Sequence, residues 1–275
     1  MSIRQALAAG LLAGFTALAA AQAPAAGQIK GDAWVHTAAS LADSVQQGQL
    51  VLPAAATGGT AFVGKFKDAP ATSGRVPVVL FLHGSSGLGL KAIGEWQQWL
   101  AGLGLASLAP DSFALPGHVT YTSPIDKASY ERIHALRASE IAPALQALKA
   151  APWADPRHLV LAGTSEGAVA VARYGGPDVA ARMIFSWSCE ANYFVTAPGT
   201  AVVDGQPVLN LVSASDPFFS RANPWLGMAD AAGHCGAAFK GQPAVAVALL
   251  PDAPHTLMNL PAARHAVAGF LRALP

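Results

Sequence analysis

From Val76 onward, short continuous apolar runs alternate with longer stretches whose apolar residues recur every three to four positions. Pro77 to Gly84 reads PVVLFLHG, an unbroken apolar run stopped by glycine, as expected of a strand buried on both faces of a parallel sheet. Lys91 to Leu103 then has helical spacing, with Ile93, Trp96, Leu100 and Leu103 on one side, and Leu105 to Ala109 is a second strand ended by Pro110. Ile133, Leu136, Ile141, Leu145 and Leu148 mark a long helical stretch over Ala128 to Ala150, with Pro143 as a candidate kink. The pattern continues as a strand (158–163), a helix (166–174), three strands (182–187, 207–213 and 244–250) and a final helix (261–274). Upstream, Leu50 to Pro53 and Thr60 to Lys67 read as short strands. Alternation of this kind implies right-handed crossovers and an α/β fold, with a mostly parallel central sheet and helices on both faces.

The N-terminus follows a different rule. Arg4, an apolar run from Ala6 to Ala20 and the A-x-A sequence at Ala21 to Ala23 read as a secretory signal peptide over residues 1–23. Residues 24–49 are rich in small side chains without a firm period and read as an N-terminal extension, leaving 50–275 as one α/β unit. No later segment is apolar enough to span a bilayer, so stable membrane insertion is not expected and the product is expected outside the cytoplasm, periplasmic or secreted.

Charge narrows the partners. The chain has 17 basic and 16 acidic residues, and Arg4 is the only charged residue in the signal segment, so the remainder is formally neutral. Its charges are scattered, which excludes the basic footprint of a nucleic-acid binder and favours a small neutral ligand. The 12% charged fraction reflects abundant alanine and a well-buried core. Oligomeric state is not legible. Cys189 and Cys235 are the only cysteines, and in an exported chain an even pair suggests a disulfide.

Candidate chemistry centres on Gly163 to Gly167, GTSEG, a G-x-S-x-G pattern at a strand-to-helix junction. The flanking glycines are needed because the serine sits on a strained turn where other side chains would collide with the neighbouring strand and helix. A serine hydroxyl is a weak nucleophile and needs a base oriented by a third group. In folds carrying this motif the acid and then the histidine follow the serine. Three histidines lie downstream: His234 beside Cys235, His265 inside the last helix, and His255 in the loop before that helix, the position such a base occupies. Asp216 directly follows the strand at 207–213, which places it at the same carboxyl edge. Asp252 is the rival acid but would have to fold back within one loop, and Asp204 precedes its strand. Ser165 as nucleophile, His255 as base and Asp216 as orienting acid are therefore the expected triad.

The segment HGSSG at His83 to Gly87 ends the first central strand. Backbone N–H groups of Ser85 or Ser86, with that of Glu166, are candidates for an oxyanion hole, while His83 is expected to hold the loop through a hydrogen bond. Trp187, Tyr193, Phe218 and Phe219, in loops near this edge, are candidate pocket residues, with packing beneath the loops as the alternative. Gly59 to Lys65 matches most of a phosphate-binding loop, but Phe66 occupies the Ser/Thr position and no helix pattern follows. No metal-ligand motif is present, and neither a metal nor a cofactor is expected.

Taken as an ordered set, HGSSG, APDSF at Ala109 to Phe113, GTSEG, Asp216 in SASDPF and His255 in PHTL resemble the dienelactone-hydrolase-like branch of the α/β-hydrolase superfamily over roughly Arg75 to Leu274. Dienelactone hydrolases proper carry cysteine at the nucleophile position, where this chain has Ser165. The resemblance implies hydrolysis of an ester, lactone or related acyl group on a small molecule. A peptidase or polyester depolymerase would use the same triad, and a non-catalytic binding protein of this fold would have lost a triad member.

Overall fold

The computed structural model describes residues 27–275, so the candidate signal segment lies outside the described residues. Among these, ten strands and seven α-helices follow one another as β1 (Ile29–Lys30), α1 (Ala38–Gln46), β2 (Gln49–Leu52), α2 (Ala54–Thr57), β3 (Phe62–Lys65), β4 (Val76–Leu82), α3 (Lys91–Gly102), β5 (Ala106–Ala109), β6 (Thr120–Tyr121), α4 (Lys127–Ser139), α5 (Ile141–Ala150), β7 (Ala154–Thr164), α6 (Glu166–Arg173), β8 (Ala181–Phe185), β9 (Val208–Ser213), β10 (Val245–Leu250) and α7 (Pro261–Arg272). Eight strands form one sheet in the order β10-β9-β8-β7-β4-β5-β2-β3. The six strands from β10 to β5 are mutually parallel, and β2 and β3 add an antiparallel edge.

Period-two alternation along the central strands divides the core between the two faces. Val78, Leu80 and Leu82 of β4, with Leu159 and Leu161 of β7, pack with Tyr130 of α4, Ile141 and Leu145 of α5, and α6. Val79, Phe81, Val160 and Ala162 point the other way, onto Ile93, Trp96 and Leu100 of α3 and Val267 of α7. Both faces of β4 are thus covered, which explains why its sequence is continuously apolar.

Three features depart from the sequence reading. The extension contains α1, whose buried residues are Ser40, Ser44 and Val45. A mostly serine face leaves no hydropathy period; the helix is instead set by a capping box, in which Thr37 Oγ1 accepts from Ser40 N–H (3.1 Å) and Ser40 Oγ accepts from Thr37 N–H (2.9 Å). The long helix at 128–150 breaks at Glu140, which closes α4 and opens α5, so Pro143 falls in the first turn of α5, where a missing N–H costs nothing. Finally, β1 and β6 form a small antiparallel ribbon (Ile29 with Tyr121, Lys30 with Thr120), which two-residue strands are too short to announce. The phosphate-loop look-alike is strand β3, paired antiparallel with β2.

The chain leaves β4 for β5 on one side and later returns to β7 on the other. The carboxyl ends of β4 and β7 therefore flank the point where strand order reverses, the position at which open α/β sheets form their ligand crevice.

Candidate active site

Ser165 joins β7 to α6 with φ 54° and ψ −117°, a left-handed conformation that costs a non-glycine residue about 1–3 kcal/mol. Its surroundings hold it there. Ser165 N–H donates to Phe185 O at the end of β8 (3.0 Å), and Ala168 N–H to Ser165 O (3.0 Å). The glycines on either side are required by close approach: a Cβ on Gly163 would lie 2.7 Å from the Gly167 carbonyl carbon, and one on Gly167 would lie 2.3 Å from Leu82 O. Helix α6 can start this close to β4 only because both positions lack a side chain.

Asp216 and His255 arrive from the next two strands. Asp216 follows β9 and is fully buried; its Oδ1 accepts N–H bonds from Phe218 (2.8 Å) and Phe219 (3.1 Å), which fixes the carboxylate, and its Oδ2 lies 2.8 Å from His255 Nδ1. A carboxylate can only accept, so Nδ1 carries the proton and Nε2 is left with its lone pair free to act as a base. The loop bearing His255 is tied down twice: Ser186 Oγ donates to His255 O (2.5 Å), and Ser213 Oγ to Ala253 O (2.6 Å). Ser186 directly follows Phe185, whose carbonyl holds Ser165, so serine and histidine are anchored to adjacent residues at the end of β8. Among the described residues neither Ser165 Oγ nor His255 Nε2 makes a hydrogen bond, and the bond between nucleophile and base is commonly long in empty sites. Asp252 is exposed, with φ 50° in a turn, and makes no contact of this kind. His265 is exposed on α7, and His234 is occupied by the Gly236 N–H.

At the end of β4, Gly87 N–H donates to Gly84 O (3.1 Å), closing a turn whose central residues are the exposed Ser85 and Ser86. An ideal Cβ at Gly84 would sit 3.3 Å from Ser165 Cβ, so this turn lies against the serine. Among the described residues the N–H groups of Ser85, Ser86 and Glu166 donate to no protein acceptor. Unpaired donors beside a serine on a strained turn are what a developing oxyanion needs.

Behind this turn lies a buried polar network that sequence reasoning largely missed. His83 is fully buried; its Nε2 accepts from Ser112 N–H (3.2 Å), so Nδ1 bears the proton and donates to Gly84 O (2.7 Å). Burial, and then the Arg137 charge, push His83 down to about 3, keeping it neutral. Arg137 and Glu140, three apart on α4 and its cap, are both completely buried. Ser112 Oγ donates to Glu140 Oε1 (2.5 Å), and His36 Nε2 lies 3.2 Å from the same oxygen. Burial opposes the charge on Glu140, but Arg137 and these hydrogen bonds outweigh it and lower its pKa. Glu166 accepts from Tyr121 Oη (2.9 Å), and its pKa is raised, by burial above all. One signal was available: Arg137 and Glu140 fall on the same helical stripe as Ile133 and Ile141, and charges on an apolar stripe must be paired.

Of the aromatics expected around a pocket, Trp187 and Phe219 are fully buried and pack beneath the site, whereas Tyr193 and Phe218 are half-buried. Phe218 meets the His255 ring edge-on, with centroids 4.7 Å apart. Cys189 and Cys235 form a disulfide that joins the loop after β8 to the loop after β9. An apolar cavity of about 490 Å³ lined by Pro77, Val160, Ala180 and Leu271 lies at the opposite, amino edge of the sheet. Among the described residues no group of three His, Cys, Asp or Glu side chains is placed to hold a metal ion, and no helix is long and apolar enough to cross a membrane.

No protein-family profile and no curated sequence matches the chain. Solved structures do. Esterase PE8 superposes with a TM-score of 0.52 at 16% identity, covering 83% of this chain and 99% of its own. A dienelactone-hydrolase-like promiscuous phosphotriesterase, P91, from metagenomic libraries superposes with a TM-score of 0.50 at 20% identity, covering 82% of this chain and 95% of its own. Identities this low speak to architecture, and they agree with the mostly parallel sheet and its helical layers: the chain has the α/β-hydrolase fold.

Proposed function

We propose that the protein is an exported serine hydrolase of the dienelactone-hydrolase-like branch, cleaving a carboxylic ester or lactone of a small molecule through an acyl-enzyme. The observation that carries this reading is the Asp216–His255 pair, 2.8 Å apart, at the edge where Ser165 stands on its strained turn beside unpaired N–H groups. In the first step His255 Nε2 takes the Ser165 hydroxyl proton as Oγ attacks the carbonyl carbon. The oxyanion is held by the N–H groups of Glu166 and of Ser85 or Ser86. As the tetrahedral intermediate collapses, His255 passes the proton to the leaving alkoxide, and the acyl group stays on Oγ. Water then attacks with its proton going to Nε2, which returns it to Oγ as the acid departs. Asp216 holds the imidazole in the Nδ1–H tautomer and stabilises the imidazolium formed in each half.

Hydrolytic activity fits the superposed esterase and dienelactone-hydrolase-like enzyme, and export fits the bonded Cys189 and Cys235, since disulfides persist in oxidising compartments. The test is steady-state hydrolysis of short nitrophenyl esters by Ser165→Ala, His255→Ala and the double variant, each checked for folding. Each single change should lower kcat by several orders of magnitude, and the double variant should lose little more, because members of a catalytic unit are not additive. Near-parental turnover by folded Ser165→Ala would remove the proposed nucleophile.

A further inference from the structure

The guanidinium of Arg137 lies between the two backbone segments that carry the oxyanion-hole donors of the proposed reaction. Nη2 donates to His83 O (3.1 Å), two residues before Ser85, and Nη1 lies 3.1 Å and 3.3 Å from the two ring nitrogens of His83. On the other side, Nε lies 3.7 Å from the Glu166 carboxylate, on the residue whose own N–H is the second donor. Glu140, 3.5 Å from Nη2, accepts from Ser112, and Ser112 N–H binds the His83 ring. Each link therefore returns to His83 or Glu166.

A fully buried cation is an expensive way to fill space, and apolar side chains of similar volume often serve stability as well or better. What an apolar residue cannot supply is a rigid, planar cation that donates to a carbonyl on one segment and sets its charge beside a carboxylate on another. The geometry points to Arg137 as a positioning residue: it fixes the Gly84–Gly87 turn relative to the Ser165–Glu166 elbow and thereby sets the alignment of the N–H groups that receive the oxyanion. This rests on the serine-hydrolase reading above. Lysine does not substitute, because its ammonium is a point charge on a flexible stem and cannot hold both segments.

Two variants test the assignment. Arg137→Lys keeps the charge and removes the planar bridge. Arg137→Gln combined with Glu140→Gln removes two opposite charges together, so that Glu140 is not left as a stranded buried carboxylate, while Glu166 keeps its bond from Tyr121. Complete loss of one oxyanion donor costs roughly 10²–10³-fold in kcat, so displaced donors should cost about 10- to 100-fold. The expected result with p-nitrophenyl butyrate is that loss in kcat for both variants, with KM changed by less than about threefold. Inhibition by butylboronic acid, which forms a tetrahedral adduct on the serine, should weaken by a factor close to the loss in kcat/KM. Circular dichroism and melting temperature establish that the compared proteins are folded. The assignment is overturned if folded Arg137→Lys keeps parental kcat, if the double variant does, or if the loss falls on KM while boronate affinity is unchanged. Failure of the underlying reading looks different: the parent itself would show no hydrolysis dependent on Ser165.

Discussion

Acidification should destabilise this protein well before its carboxylates titrate, because two buried histidines are held neutral. His83 is pushed down to about 3 by burial and then by Arg137, and His134 to about 4 by burial. The contacts explain why neither ring accepts a second proton. The free position on His83 receives Ser112 N–H, and His134 donates from Nε2 to Phe194 O (3.0 Å) while its Nδ1 faces no acceptor. In the unfolded chain both titrate near the ordinary histidine value of about 6.5. The folded values are depressed, so the unfolded state binds more protons between those limits. Stability is therefore full above pH 6.5 and falls as the pH drops toward 4 and then 3. At pH 5 each histidine lies about 1.5 pH units into this window, and at about 1.4 kcal/mol per unit the pair removes about 4 kcal/mol relative to pH 8. That is a large share of the 5–15 kcal/mol typical of a folded domain. His118, pushed down to about 4, acts in the same direction, while Glu166, whose pKa burial raises, offsets part of the loss. Urea unfolding followed by tryptophan fluorescence at pH 8, 7, 6 and 5 measures the effect. His134→Asn, which can still donate to Phe194 O, should remove roughly half of the dependence. Stability that stays flat or rises between pH 7 and pH 5 would refute the reasoning.

Three further outcomes follow from the same contacts. Asp216→Asn should lower kcat by roughly 10⁴-fold, since a neutral amide leaves the imidazole tautomer unspecified, whereas the exposed turn residue Asp252 should tolerate the same change; the reverse ranking in an ester assay would reassign the acid. Gly167→Ala should lower the melting temperature, at a cost of about 1–3 kcal/mol, because the added Cβ would stand 2.3 Å from Leu82 O; an unchanged melting curve would show that α6 is less tightly seated on β4. Reduction of the Cys189–Cys235 bond, 46 residues apart in sequence, frees a loop worth about 4 kcal/mol in the chain-entropy treatment and should lower the melting temperature visibly; two free thiols in the protein purified without reductant would contradict the bridge.

The parts of this fold that were legible in sequence are those where burial alone decides. The run through β4 is apolar at every position from Val78 to Leu82 because both faces are covered, and α3 shows its period because Ile93, Trp96 and Leu100 face one layer. The GTSEG turn was legible for a different reason: its glycines are dictated by backbone contacts under 3 Å, a constraint as strict as burial. Helix α1 was not legible, since serines that bond back to its own backbone fill its buried face. The break between α4 and α5 was hidden by the apolar period that continues through it. The buried network was missed for a related reason. Arg137 and Glu140, Ser112, and His36 come from three separate segments, and only the tertiary structure brings the polar atoms of these segments within hydrogen-bond or ion-pair distance. The apolar stripe marks Arg137 and Glu140 as needing partners, but nothing in the sequence marks Ser112 and His36 as those partners. Asp252, three residues before His255, would have to fold back within one loop to serve as the acid, whereas Asp216 follows the neighbouring strand, and its pairing with His255 follows from β9 and β10 lying side by side.

The most direct test of the account is the site of covalent trapping. Incubation with a fluorophosphonate followed by peptide mass spectrometry should find one adduct per chain, on Ser165, formed at a rate that collapses in folded His255→Ala, because the attacking oxygen depends on that base. Folded Ser165→Ala should carry no adduct and should not turn over ester. An adduct on another residue, or undiminished ester hydrolysis by the alanine variant, would contradict the claim that this α/β-hydrolase fold works through a serine at the end of β7.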